Sequence, residues 1–70
     1  MNPEISKVIA HFGTQGKTAQ ALNCSQTTVF KWLHGKMNIS ALHAIKVEKL
    51  TEGKFKATDL CPKLKELEDL

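Results

Sequence analysis

The sequence predicts an all-α fold, a small bundle of about five short helices forming one domain over residues 1–70. Three observations carry that expectation. Apolar residues recur at helical spacing in each segment, and glycine or asparagine stands where helices would close. No stretch alternates apolar and polar residues long enough to make a strand. Seventy residues leave room for one modest core, and a domain of that size is marginally stable alone.

Asn2 is a good cap ahead of Pro3 and Glu4, and Ile5, Val8, Ile9 and Phe12 mark one face of a first helix ended by Gly13. "TQGK" reads as a connector, followed by a short second helix from Lys17 to Leu22 with Ala19 and Leu22 inward. Ser25 caps a third helix running to about His34, where Gly35 closes it. After the turn "KMN", Ser40 caps a fourth helix whose apolar set is Leu42, Ile45, Val47 and Leu50. Gly53 breaks that pattern, and Thr58 caps one final turn containing Leu60 before Pro62. The tail "PKLKELEDL" carries leucines at 64, 67 and 70 and so much charge that residues 63–70 are expected to fray. The expected core is Val8, Phe12, Ala19, Leu22, Val29, Trp32 and Leu42.

Charge is unevenly placed. Residues 1–36 hold four lysines and one acid, and residues 37–70 hold six of each, so the net +3 sits wholly in the first half. Small basic proteins are often merely soluble, so the location of the surplus says more than its size. All ten basic residues are lysine. No apolar run is long enough to cross a membrane, and the start lacks a secretory pattern, so a cytoplasmic protein is expected. Cys24 and Cys61 then read as reduced thiols. Two cysteines on separate elements, with His11 and His43 far apart, make no zinc set, and no cofactor is expected. No catalytic constellation is present, and capping suffices as the role of Ser25, so the chain reads as a non-enzyme without an evident small-molecule substrate.

The informative stretch is "TAQALNCSQTTVFKW", residues 18–32, in which one helix must stop, turn in about three residues and restart. Asn23 accepts positive φ more readily than other residues apart from glycine. Ser25 can cap the restart, Cys24 is small enough to point inward, and Ala19 lets two helix backbones approach. Val29 and Trp32 take the inner face of the third helix. These parts fit a helix-turn-helix. The spacing of Ala19, Asn23, Cys24, Val29 and Trp32 resembles the signature of phage repressors. "HFGTQ", "AQALNCSQTTVFKW" and "AIKVEKLTEGKFKATDLCPKL" together are similar to phage and prophage Cro-type repressors of the Cro/YdaS-like helix-turn-helix family, over roughly residues 5–64. Asn23 departs from the glycine usual there. The resemblance implies a lambda-repressor-like DNA-binding domain, sequence-specific binding to operator double-stranded DNA, usually as dimers on paired half-sites, and repression of transcription.

Removing the inner face from the third helix leaves Gln26, Thr27, Thr28, Phe30, Lys31 and His34. Glutamine pairs with adenine, threonine bonds to a base or touches a thymine methyl, and lysine donates to guanine. Gln26, Thr27 and Lys31, with Thr28, are therefore the base-contact candidates, and ordinary solvation is the competing reading. Gln15 and Lys17 stand where members of the family clamp the DNA backbone, and Lys36, just past the helix, is a further phosphate candidate. His34 is expected to serve the helix-terminal carbonyls. Phe30 stays open between a thymine methyl and partial burial against the fourth helix. So short a recognition helix reads only a few base pairs, which implies a homodimer, at least on DNA. Its surface is expected on the fourth helix, the "EGKF" turn and the terminal leucines, with Phe55 either an anchor there or packed on its own core. The competing function is a protein-interaction module, antitoxin-, toxin- or adaptor-like, on the same scaffold with weak DNA affinity.

Overall fold

The computed structural model describes residues 2–68, with the side chains of Lys65 and Glu68 left aside, and those residues form helices joined by turns, without a strand. Six helices follow in order: α1 (Pro3–Phe12), α2 (Gln15–Leu22), α3 (Gln26–Leu33), α4 (Ala41–Leu50), α5 (Ala57–Leu60) and α6 (Pro62–Glu68). The sixth is the segment expected to fray, and it is helical to Glu68; Leu70 lies outside the described residues. The chain divides into two compact units, Met1–Asn38 and Ile39–Leu70.

In the first unit α1, α2 and α3 pack on one another pairwise. The Asn2 side chain accepts from the Glu4 and Ile5 amides at 3.0 and 3.3 Å, satisfying two donors that the start of α1 leaves exposed. The Asn2 amide also donates to the Leu33 carbonyl at 2.8 Å, tying the start of α1 to the end of α3. Helix α2 begins at Gln15, two residues ahead of the expected start. The Thr14 hydroxyl accepts from the Lys17 amide at 3.0 Å, so the cap precedes Gly16 and the glycine sits inside the first turn. Ile5, Val8, Thr18, Ala19, Leu22, Val29, Trp32 and Leu33 are buried, while Phe12 is half-buried. Thr18 can occupy an inward position because its hydroxyl donates to the Thr14 carbonyl at 2.8 Å.

In the second unit, α5 packs against both α4 and α6. The inward face of α4 is not the leucine set. Ala44 and Val47 are buried, with Thr51 just beyond them, whereas Ile45 and Leu50 are exposed and Leu42 is 64% exposed. Two local features set this phase. Ile39, buried immediately ahead of the Ser40 cap, stands at the staple position opposite Ala44. Thr51 donates to the Val47 carbonyl at 2.7 Å, so a polar residue can close the same face. Phe55 is only 8% exposed, and its amide donates to the Thr51 hydroxyl at 3.4 Å; it belongs to the core and is no surface anchor. Nor does Thr58 cap the final turn. Helix α5 starts at Ala57, whose amide donates to Glu48 Oε1 at 2.7 Å, so a carboxylate from α4 supplies the cap.

Three helices close in the same way. Residue pairs Asn23/Cys24, Gly35/Lys36 and Glu52/Gly53 return amides to the carbonyl pairs Gln20/Ala19, Trp32/Lys31 and Lys49/Glu48. This is the Schellman pattern, with Asn23, Gly35 and Glu52 left-handed at φ 55°, 71° and 54°. Asparagine bears that conformation at little cost, and β-branched residues bear it poorly. Asn23→Val is therefore expected to destabilise the chain by about 1–2 kcal/mol and Asn23→Gly to leave it unchanged or slightly stabilised, as read by urea midpoints.

Ser40 Oγ accepts from the His43 amide at 3.2 Å and lies 2.6 Å from His43 Nδ1. Burial, and then the neighbouring Lys46 charge, lower the pKa of His43 below its ordinary value. The folded chain therefore binds this proton less readily than the unfolded chain does. The contribution to stability is complete above the unfolded value, about 6.5, and is lost as pH falls through the lowered folded value. Melting temperature should drop on acidification from neutral pH to the mildly acidic range, and His43→Gln should flatten that dependence. An equal slope in the variant would assign the effect elsewhere.

Candidate nucleic-acid interface

The three residues between α2 and α3 do separate jobs. Asn23 reverses the backbone, and Cys24, half-buried, returns its amide to the Ala19 carbonyl at 2.9 Å. Ser25 caps the next helix, accepting from the Thr28 amide at 3.2 Å. Such a cap stabilises a helix by about 1 kcal/mol. With Val29, Trp32 and Leu33 buried, the rotation of α3 about its axis is fixed, and the opposite side chains are held outward.

Gln26, Thr27, Phe30, Lys31 and His34 are exposed. Gln26, Thr27 and Phe30 line a shallow hollow together with Gln15 from the first turn of α2. The Gln26 side-chain oxygen reaches α2 as well, lying 3.6 Å from where a Cβ on Gly16 would stand. Thr28 is set differently. It is half-buried, and its hydroxyl is 2.8 Å from Ser25 Oγ, so it is engaged at the cap. Lys31 projects from the last turn of α3.

Lys17 lies in the first turn of α2 and Lys36 in the turn after α3. The aliphatic stem of Lys17 runs beside Gly13, with Cδ 3.3 Å from the position a Cβ there would take. A side chain at residue 13 would both crowd that lysine and strain a backbone at φ 113°. Lys36 Nζ stands 5.9 Å from the Phe30 ring centroid. His34 caps α3 with its backbone, and its ring packs on Phe30 at 4.2 Å between centroids. Glu4, the single acid of residues 1–38, lies 3.9 Å from Lys7. The unit thus holds one carboxylate against four lysines and keeps a surplus of positive charge. On α3 the sequence left the role of Phe30 open, as it did that of Phe55 in the second unit, since hydrophobicity cannot tell a ring held at the surface from a buried one.

Among the described residues no group of three His, Cys, Asp or Glu side chains could hold a metal ion, and no helix is long and apolar enough to cross a membrane.

This architecture defines an all-helical protein built around a helix-turn-helix corner with a polar, basic outer face. The family model for the bacterial toxin YdaS matches residues 5–66, and the chain belongs to that family. It is also 48% identical over 56 residues to the regulatory protein Cro of Pseudomonas phage D3, an alignment covering 80% of this chain and 77% of that relative. No solved structure matches the chain.

Proposed function

We propose that this chain is a DNA-binding transcriptional regulator of the Cro type, a cytoplasmic repressor that places α3 in the major groove of an operator half-site. The observation that carries the reading is the outer face of α3. Gln26, Thr27 and Lys31 stand outward on a helix whose direction is fixed by a capped corner, in the unit that holds all the surplus positive charge. Similarity to a phage regulatory protein supports it. In this reading Gln26 pairs with adenine, Thr27 meets the adjacent base or methyl group, and Lys31 donates to guanine. Thr28, engaged with Ser25 at the helix start, completes the base-contact set. Gln15, Lys17 and Lys36 bind phosphates and set the register without reading sequence.

Eight helical residues contact only a few base pairs, so useful discrimination calls for two copies on neighbouring half-sites. The pairing surface is assigned to the second unit. Leu42, Ile45, Leu50 and Leu67 are exposed there, and a hollow is lined by Ile45, Ala57, Leu64 and Leu67 together with the polar Glu48 and Thr58. Residues 37–70 carry equal numbers of lysines and acids, which lets the same patch face itself without net repulsion. The family's toxin description and that same apolar surface favour a second reading, a protein-interaction module with weak DNA affinity.

A salt titration of duplex binding separates the two. The regulator loses affinity log-linearly with salt, with a slope set by its phosphate contacts; an interaction module shows flat or absent binding to duplexes from phage-type operators. Gln26→Ala should cost about 1–3 kcal/mol on the preferred duplex and relax the preference at one base pair. Lys17→Ala should weaken all duplexes alike and lower the salt slope by about one. An unchanged slope would remove Lys17 from the phosphate clamp.

A further inference from the structure

We propose that Phe30 reads a thymine methyl group, so that the hollow it shares with Gln26 is selective for an adenine–thymine combination. The inference rests on the DNA-binding reading above and assigns a specificity role that hydrogen-bonding groups cannot fill. Phe30 lies one turn after Gln26 on the same side of α3. It is 42% exposed, although a ring of its size would normally be drawn into the core. Its position is nevertheless held. The His34 ring packs on it at a 46° tilt with centroids 4.2 Å apart, and Lys36 Nζ lies 5.9 Å from its centroid. These neighbours come from the C-terminal end of α3 and the turn after it. The ring also borders the hollow formed with Gln15, Gln26 and Thr27. A surface aromatic with a ring neighbour and a lysine of its own unit beside it offers an apolar wall next to an amide.

The major groove offers one group that such a wall fits. Thymine's C5-methyl is the apolar feature of the base-pair edges there, whereas the other groups that distinguish the pairs are hydrogen-bond donors and acceptors. An amide matched to adenine N6 and N7, with a ring beside it matched to a methyl, therefore selects by polarity and by shape together. The need for such a contact is increased by the absence of arginine, which removes the usual bidentate route to guanine.

The test uses the full chain and a duplex of about 20 base pairs that the wild type selects from a random pool. Each thymine is then replaced in turn by deoxyuridine, which removes the methyl and keeps the pairing edge. The wild type should bind about three- to fivefold more weakly when one particular thymine of a half-site is replaced. Phe30→Ala should bind the thymine and uracil duplexes equally, and Gln26→Ala should keep the uracil penalty. Phe30→Leu, which preserves an apolar side chain, should keep part of it and covers the case in which the alanine variant fails to fold. Should no thymine show a penalty in the wild type, or should Phe30→Ala retain it, Phe30 does not read the methyl while the DNA-binding reading stands. Failure of the pool to yield any preferred duplex would overturn both.

Discussion

Asn23 holds a left-handed backbone so that α2 can end and α3 restart within three residues, and the outward side chains of α3 depend on that corner for their direction. The corner is secured at both ends. Its amides return to the closing carbonyls of α2, and its last residue, Ser25, accepts from the first turn of α3. Beyond the corner, Val29, Trp32 and Leu33 bury one side of α3, and the Leu33 carbonyl accepts the Asn2 amide. A recognition surface needs such fixity, because contacts to base edges tolerate little error in the placement of the groups that make them.

Charge and apolar surface are divided between the two units. The first carries four lysines against one glutamate that already lies near a lysine, and its outer helix face is polar except for Phe30. The second is electrically balanced, and it holds four of the six exposed large hydrophobic residues. Surplus positive charge and exposed apolar surface thus lie in different parts of one short chain. The use of lysine throughout bears on selectivity. A point charge attracts phosphate well but recognises guanine less specifically than a guanidinium fork, so under the proposed DNA-binding reading discrimination falls to Gln26, Thr27 and the Phe30 ring.

Elements whose signals are local were legible in the sequence. Asn2, Ser25 and Ser40 cap the helices they precede, and Gly13, Asn23 and Gly35 close theirs, because a cap involves residues only a few positions apart. Signals that depend on the folded chain were not. The leucines of α4 outrank Ala44 and Thr51 in hydrophobicity, yet the smaller residues take the buried face, since Thr51 satisfies its hydroxyl on the preceding turn. The start of α5 is capped by a carboxylate nine residues away, which no local pattern announces. The outward residues of α3 follow from its inner face, and the structure brings Gln26 and Thr27 together with Gln15. Thr28 is drawn instead to the Ser25 hydroxyl. Phe30 needed the positions of His34 and Lys36, neither of which is fixed by spacing alone.

The account is tested most directly by amide chemical shifts of the isotope-labelled chain during titration with its selected duplex. Binding through the outer face of α3 predicts shifts concentrated at Gln26 to Lys31 and at the first turn of α2, diminishing as salt rises. Unmoved amides from Gln26 to Lys31 under conditions where the duplex is bound would contradict it.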